Sequence, residues 1–157
     1  MDRPLNQTTL NALGTFGCLR ELRLVQQHIQ TLEFVGVCKS LQVLHLPENQ
    51  IERLEGVQSC KFLEELDLSG NLISDLGSPE EPLHISASSP GTQKSPLEGL
   101  NRLHTLRLNS NKLRTLRGIE YLVNLKDLQV ADNELTHVGA ALSNNKNLEK
   151  LNIAANL

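Results

Sequence analysis

Leu41-Gln42-Val43-Leu44-His45-Leu46-Pro47-Glu48-Asn49-Gln50-Ile51-Glu52-Arg53-Leu54 is the stretch that decides the fold. Leu44 and Leu46 flank a polar residue, the period-two alternation of a short strand with one apolar face. Asn49 follows where the chain must leave the strand. Ile51 and Leu54 then return at a spacing of three, which suits a tight turn rather than a second strand. The same pattern, L-x-x-L-x-L-x-x-N-x-L/I-x-x-L, begins again at Leu19, Leu63, Leu103, Leu125 and Leu148. The steps are 22, 22, 40, 22 and 23 residues, so the long one is a 22-residue unit plus 18 extra positions. A pattern that holds phase over six copies marks stacked repeats.

Each position has a physical reason. Identical strands one repeat apart pair in parallel at roughly 4.8 Å and stack their leucines in columns. Each fully buried leucine contributes on the order of 1.5–3 kcal/mol. The Asn column, Asn49, Asn71, Asn111, Asn133 and Asn156, can satisfy backbone groups of neighbouring turns that would otherwise be buried unpaired. Gln27 holds this place in the first copy and, being longer, fits such a ladder less well. Ile119, Leu122 and Leu125, and likewise Leu97, Leu100 and Leu103, predict 3₁₀ or short helical turns on the return side. Leu10, Leu13 and Phe16 occupy the same relative places before Leu19, so residues 1–18 read as a half repeat covering the first strand. Cys38 and Cys60 fall in the same apolar register, as small core residues.

Composition agrees. Leucine fills 32 positions, whereas Phe and Tyr together fill four and Trp none, as expected of one packing environment used repeatedly. A net charge of −3 without a basic stripe disfavours nucleic acid. No apolar run approaches the ~20 residues that span a bilayer, and Met1–Leu10 lacks the apolar core of a signal peptide. Three cysteines, Cys18, Cys38 and Cys60, do not form a paired cap, which favours a reducing compartment and predicts a cytoplasmic protein. Asn6-Gln7-Thr8, formally a glycosylation sequon, reads as an unmodified terminus.

The 22-residue length, with Asn49-Gln50-Ile51-Glu52-Arg53-Leu54-Glu55-Gly56-Val57 and Leu116-Arg117-Gly118-Ile119-Glu120-Tyr121-Leu122, resembles the SDS22-like class of leucine-rich repeats. The resemblance covers nearly the whole chain. It implies an α/β, right-handed solenoid with a parallel concave sheet and a 3₁₀ or short-helical convex side. It also implies an intracellular protein that binds other proteins. Regulators of protein phosphatase 1, splicing and tubulin-cofactor proteins, and axonemal or centrosomal components belong to the class. A role as a phosphatase-type regulatory subunit or the targeting region of a larger enzyme, or as a cytoskeletal or ciliary component, therefore stands beside the general one.

Residues 77–96, GSPEEPLHISASSPGTQKSP, interrupt the pattern with four prolines and five serines. They predict a disordered surface insertion within a single domain spanning 1–157. Three Ser-Pro steps, at Ser78, Ser89 and Ser95, make proline-directed phosphorylation one reading of it, and a neutral spacer the other. The last repeat starts at Leu148 and the chain stops at Leu157, which leaves a strand without a cap. The expectation is therefore that further repeats or domains follow.

The partner-binding surface is predicted from residues flanking the strand leucines, which point away from the core. One column is Arg23, His45, Asp67, Arg107, Gln129 and Asn152. A second is Glu21, Val43, Glu65, Thr105, Asp127 and Lys150, and a third runs from Val25 and Pro47 through Ser69. With Glu48 and Asp132 this face holds six acids against three Arg or Lys, which suits a basic or polar protein partner. Arg23, His45 and Arg107 are the expected anchors. His45, Asp67 and Ser69 on one face bring a hydrolase triad to mind. An open sheet offers neither an oxyanion hole nor exclusion of water, so no enzymatic activity and no cofactor are expected. No two histidines have metal-ligand spacing on one element.

Overall fold

The computed structural model describes residues 7–77 and 95–157. Six three-residue strands form one parallel sheet in chain order: β1 (Glu21–Arg23), β2 (Val43–His45), β3 (Glu65–Asp67), β4 (Thr105–Arg107), β5 (Asp127–Gln129) and β6 (Lys150–Asn152). The register is the one the leucine pattern predicts. Leu22, Leu44, Leu66, Leu106, Leu128 and Leu151 are successive partners, and the β3–β4 pair keeps it across the 40-residue step. The fold is a leucine-rich-repeat solenoid.

Between strands the chain returns through 3₁₀ turns at Glu33–Val37, Val57–Ser59 and Ile119–Tyr121, and through an irregular turn after Ser95. A short helix α1 (Gln7–Ala12) and a 3₁₀ turn (Leu13–Thr15) precede β1. Leu10 is buried there and Leu13 packs partly against the core. Phe16 does not join them. It is 58% exposed, because in the first copy the turn it belongs to has no preceding repeat to pack on. One continuous core of Leu, Ile and Val runs from Leu10 to Leu135, with Phe34, Cys38 and Cys60 inside it.

The asparagine ladder holds this core's polar edge. Asn49 Oδ1 accepts from Gln27 N and Ile29 N, while its Nδ2 donates to Leu24 O, Leu46 O and Pro47 O. Asn71, Asn111, Asn133 and Asn156 repeat the arrangement, each Oδ1 accepting from the repeat before it. Each rung follows a left-handed residue with φ between 52° and 67°: Gln26, Glu48, Gly70, Ser110, Asp132 or Ala155. Only one of these is glycine, so five L-residues hold a strained conformation that the ladder's bonds must offset.

A second ladder runs at the residue just before each repeat's first leucine. Ser40 Oγ donates to Gly17 O (2.8 Å), Asn124 Nδ2 to Asn101 O (2.7 Å) and Asn147 Nδ2 to Val123 O (3.0 Å). Between them Phe62 and Arg102 replace the hydrogen bond with a ring–guanidinium contact of 4.8 Å. Inside the last turn a buried Asn145 stands where earlier copies carry Cys38 and Cys60. Its Nδ2 donates to Ile119 O and Leu122 O, as the Cys60 thiol does more weakly to Val35 O and Cys38 O.

Candidate functional site: the concave sheet face

Strand pairing puts Arg23, His45, Asp67, Arg107, Gln129 and Asn152 in one row, and Glu21, Val43, Glu65, Thr105, Asp127 and Lys150 in the next. All are partly or fully exposed except Thr105, which is buried.

The charged groups are linked from strand to strand. Arg23 Nε meets Glu21 Oε1 at 2.5 Å, and its Nη1 donates to His45 Nδ1. Arginine always carries its proton, so His45 Nδ1 must accept and Nε2 must carry the hydrogen. Nε2 faces Glu65 Oε2 at 3.5 Å without hydrogen-bond geometry, so the neutral ring meets the carboxylate as a polar contact. Arg107 Nη1 approaches the same Glu65 oxygen at 3.8 Å. One carboxylate therefore serves two neighbours, and the chain Glu21–Arg23–His45–Glu65–Arg107 crosses four strands. Arg23 holds the Glu21 carboxyl below its ordinary range, first by hydrogen bonding and then by charge, with a smaller contribution from His45. Pairs this exposed add little stability. What they fix is the position of the charges.

Toward the far end Gln129 Nε2 donates to Asp127 Oδ1 at 2.5 Å, and beyond β1 Gln26 Nε2 donates to Glu48 Oε2. Val43 lies between Glu21 and Glu65, and Lys150 is exposed beside Asp127.

His45, Asp67 and Ser69 are neighbours but not a triad. Ser69 Oγ and Ser69 N both bond Asp67 Oδ1, at 2.7 and 3.0 Å, so the hydroxyl is turned to the acid rather than the imidazole. Histidine is engaged by Arg23 on the other side. Among the described residues no three His, Cys, Asp or Glu side chains converge as metal ligands. No helix among them is long and apolar enough to cross a membrane. Leucine spacing placed the two rows correctly. It gave no sign that Glu65 would bridge His45 and Arg107, which needs the cross-strand register and not the residues of one repeat.

Of the three Ser-Pro serines, Ser78 and Ser89, with most of the 77–96 insertion, lie outside the described residues. Ser95 is 2% exposed. Its Oγ accepts from Leu97 N at 3.3 Å and its carbonyl from Glu98 N at 2.9 Å, so the hydroxyl starts the return turn instead of facing solvent.

The sequence pattern describing two copies of leucine-rich repeats matches residues 39–81. Among curated protein sequences none matches significantly. A leucine-rich-repeat protein of Leptospira interrogans superposes with a TM-score of 0.72 at 29% identity, covering 97% of this chain and 34% of that one. The leucine-rich-repeat ectodomain of the receptor kinase SOBIR1 from Arabidopsis thaliana is also 29% identical, with a TM-score of 0.59, over 86% of this chain and 69% of that one. The GASSHO1/SCHENGEN3 ectodomain from the same plant, solved in complex with CASPARIAN STRIP INTEGRITY FACTOR 2, shares the fold at 22% identity and a TM-score of 0.69, covering 98% and 17%. The chain spans about a third of the Leptospira protein's length. The fold is one shared by known protein-interaction domains, and it is typically a non-enzymatic binding scaffold.

Proposed function

We propose that the chain is a protein–protein interaction scaffold that holds its partner on the concave face, and that it is not itself an enzyme. The observation that carries this is the linked row Glu21–Arg23–His45–Glu65–Arg107, in which a neutral imidazole joins the charged groups. Its Glu and Arg groups are accessible yet held in register on rigid strands, around a His45 side chain only 13% exposed. A complementary protein surface therefore meets charges that need little further ordering. Acids outnumber bases on the face, so the partner is basic or polar there, and the same excess of acids disfavours nucleic acid. The 22-residue step and the 3₁₀ return turns support the SDS22-like subclass. Buried free thiols at Cys38 and Cys60 fit a cytoplasmic setting. No aromatic side chain stands in the three strand columns of this face, so nothing favours a phosphatase-regulator role over general partner binding.

The test is affinity purification from native cells with the parent chain and with Arg23→Glu, Asp67→Lys and Arg107→Glu combined. Partners retained by the parent and lost by the triple variant are the expected result. Partners that survive all three changes would place binding elsewhere.

A further inference from the structure

Four of the eight large hydrophobic residues exposed among the described residues are Phe16, Val37, Phe62 and Val123. The other four lie on the last strand and tail or at the end of β1. These four fall in one stretch of the repeat, at different positions within the four residues before its first leucine. Together with the residue after that leucine, these positions form a rim along the strands' N-terminal ends. It is continuous: Gln42 N bonds Arg20 O, and Glu64, His104, Lys126 and Glu149 each bond the residue one repeat back.

The rim's charge is opposite to that of the concave face. It corrects the expectation of no basic stripe, which the net charge of −3 concealed. It carries Arg20, Lys39, Lys61, Arg102, Lys126 and Lys146, all exposed, against Glu64 and Glu149. In the whole chain 15 Lys and Arg face 18 acids, so the basic groups are concentrated here. Both rim acids are already engaged, Glu64 with His104 at 3.9 Å and Glu149 with Lys126 at 3.4 Å. At the centre Arg102 lies over the Phe62 ring, which stays 45% exposed, and Lys61 Nζ donates to Glu98 O at 3.2 Å. The Phe62–Arg102 pair joins an aromatic ring and a guanidinium, side chains enriched where protein partners anchor.

We infer that this rim is a second docking surface, separate from the concave face, whose occupant is an acidic protein segment carrying apolar residues. Charge complementarity selects the sign of the occupant. The apolar members select its class. Val37 and Val123 have no flat face on which a base could stack, and Phe16 and Phe62 stand two repeats apart. A single-stranded nucleic acid, by contrast, lays successive bases on successive aromatics. An acidic segment with Leu or Phe side chains uses both components of the surface, setting carboxylates on Lys39, Lys61 and Arg102 and apolar groups on Phe62 and Val123.

The test is a selection of random twelve-residue displayed peptides on the full chain, with the variant Lys39→Glu, Lys61→Glu, Arg102→Glu as the counter-selecting target. Enriched peptides are then measured by fluorescence anisotropy, beside a twelve-nucleotide single-stranded RNA. All three substituted side chains are exposed, and a melting temperature equal to the parent's confirms that the variant is folded. The expected peptides carry a net negative charge and at least one large apolar residue. They bind about tenfold or more weaker to the charge variant and in high salt, and they weaken on Phe62→Ser. They bind unchanged to the concave variant Arg23→Glu, Arg107→Glu, which separates this surface from the one proposed above. No enrichment, enrichment without acidic bias, loss on the concave variant alone, or RNA binding as tight as the peptides' would each overturn it.

Discussion

Asn71→Ala removes one rung of the asparagine ladder at the middle of the solenoid. The side chain is 4% exposed, and its Oδ1 accepts from Ile51 N at 3.0 Å. Its Nδ2 donates to Leu46 O (3.0 Å), Leu68 O (2.9 Å) and Ser69 O (3.3 Å). The losses are unequal. Leu46 O keeps Asn49 as a donor and Leu68 O keeps Asn111, so each carbonyl loses one of two bonds. Ile51 N loses its acceptor outright, at a place where the Asn71 side chain is 4% exposed. Ser69 O, bonded at 3.3 Å, keeps Glu48 N as its donor. An orphaned buried donor costs about 1–3 kcal/mol, and the lost bonds to Leu46 O and Leu68 O about 1 kcal/mol each, giving about 3–5 kcal/mol in all. For a chain of this size that lowers the melting temperature by roughly 6–20 °C. Asn156→Ala is the internal control. It removes the same contacts, Leu135 N and Val130 O among them, from a partly exposed place where water takes them over. Its expected cost is about 1 kcal/mol or less. Scanning calorimetry of the two variants and the parent measures both. Equal losses at the two positions, or less than about 1 kcal/mol at Asn71, would refute the argument that the ladder's burial is what makes it matter.

Other consequences follow from the same packing. Gly56→Ala puts a Cβ 2.1 Å from Leu32 O at φ +118°, whereas at Gly36 the nearest atom is 3.8 Å away. Calorimetry should find the first destabilised by more than about 2 kcal/mol and the second changed by under about 1 kcal/mol. Burial pushes the Cys60 thiol up to about 11 and raises Cys38 as well, while Cys18 is exposed. A thiol reagent at pH 8 should therefore modify Cys18 rapidly and the other two only on unfolding, and rapid reaction of all three would contradict the buried register. The folded chain binds the Cys60 proton more tightly than the unfolded one, so this stabilisation is complete below pH 9 and is lost as pH rises toward 11. The Glu21 carboxyl, held low by Arg23, has the opposite sign: its contribution is present above pH 4.5 and is lost as pH falls through the lowered value. An NMR titration should place its midpoint below 4.5 and return it upward in Arg23→Gln.

The strands, their order and their register were legible because a period of 22 residues fixes which residues meet, however the 40-residue step is looped. Asn49 and its successors were legible for the same reason. The left-handed residue before each rung was not, since only Gly70 among the six announces it. Nor was the second ladder, although Ser40, Asn124 and Asn147 share one repeat position: three polar residues in a column of mixed types carry no periodic signal. Phe16 followed the apolar spacing but lacks the neighbour that would bury it, because spacing describes a face and not what covers it. On the concave face the columns could be read from alternation, whereas the Glu65 bridge between His45 and Arg107 depends on side-chain reach across two strand gaps.

The central claim is that the partner sits on the concave sheet. Photo-crosslinking from a benzophenone amino acid at positions 23, 45 or 107, compared with position 117 on an exposed return segment, tests it most directly. Crosslinks to a partner protein from the three strand positions and none from position 117 are predicted. A partner captured from position 117 and not from the strands would contradict the claim.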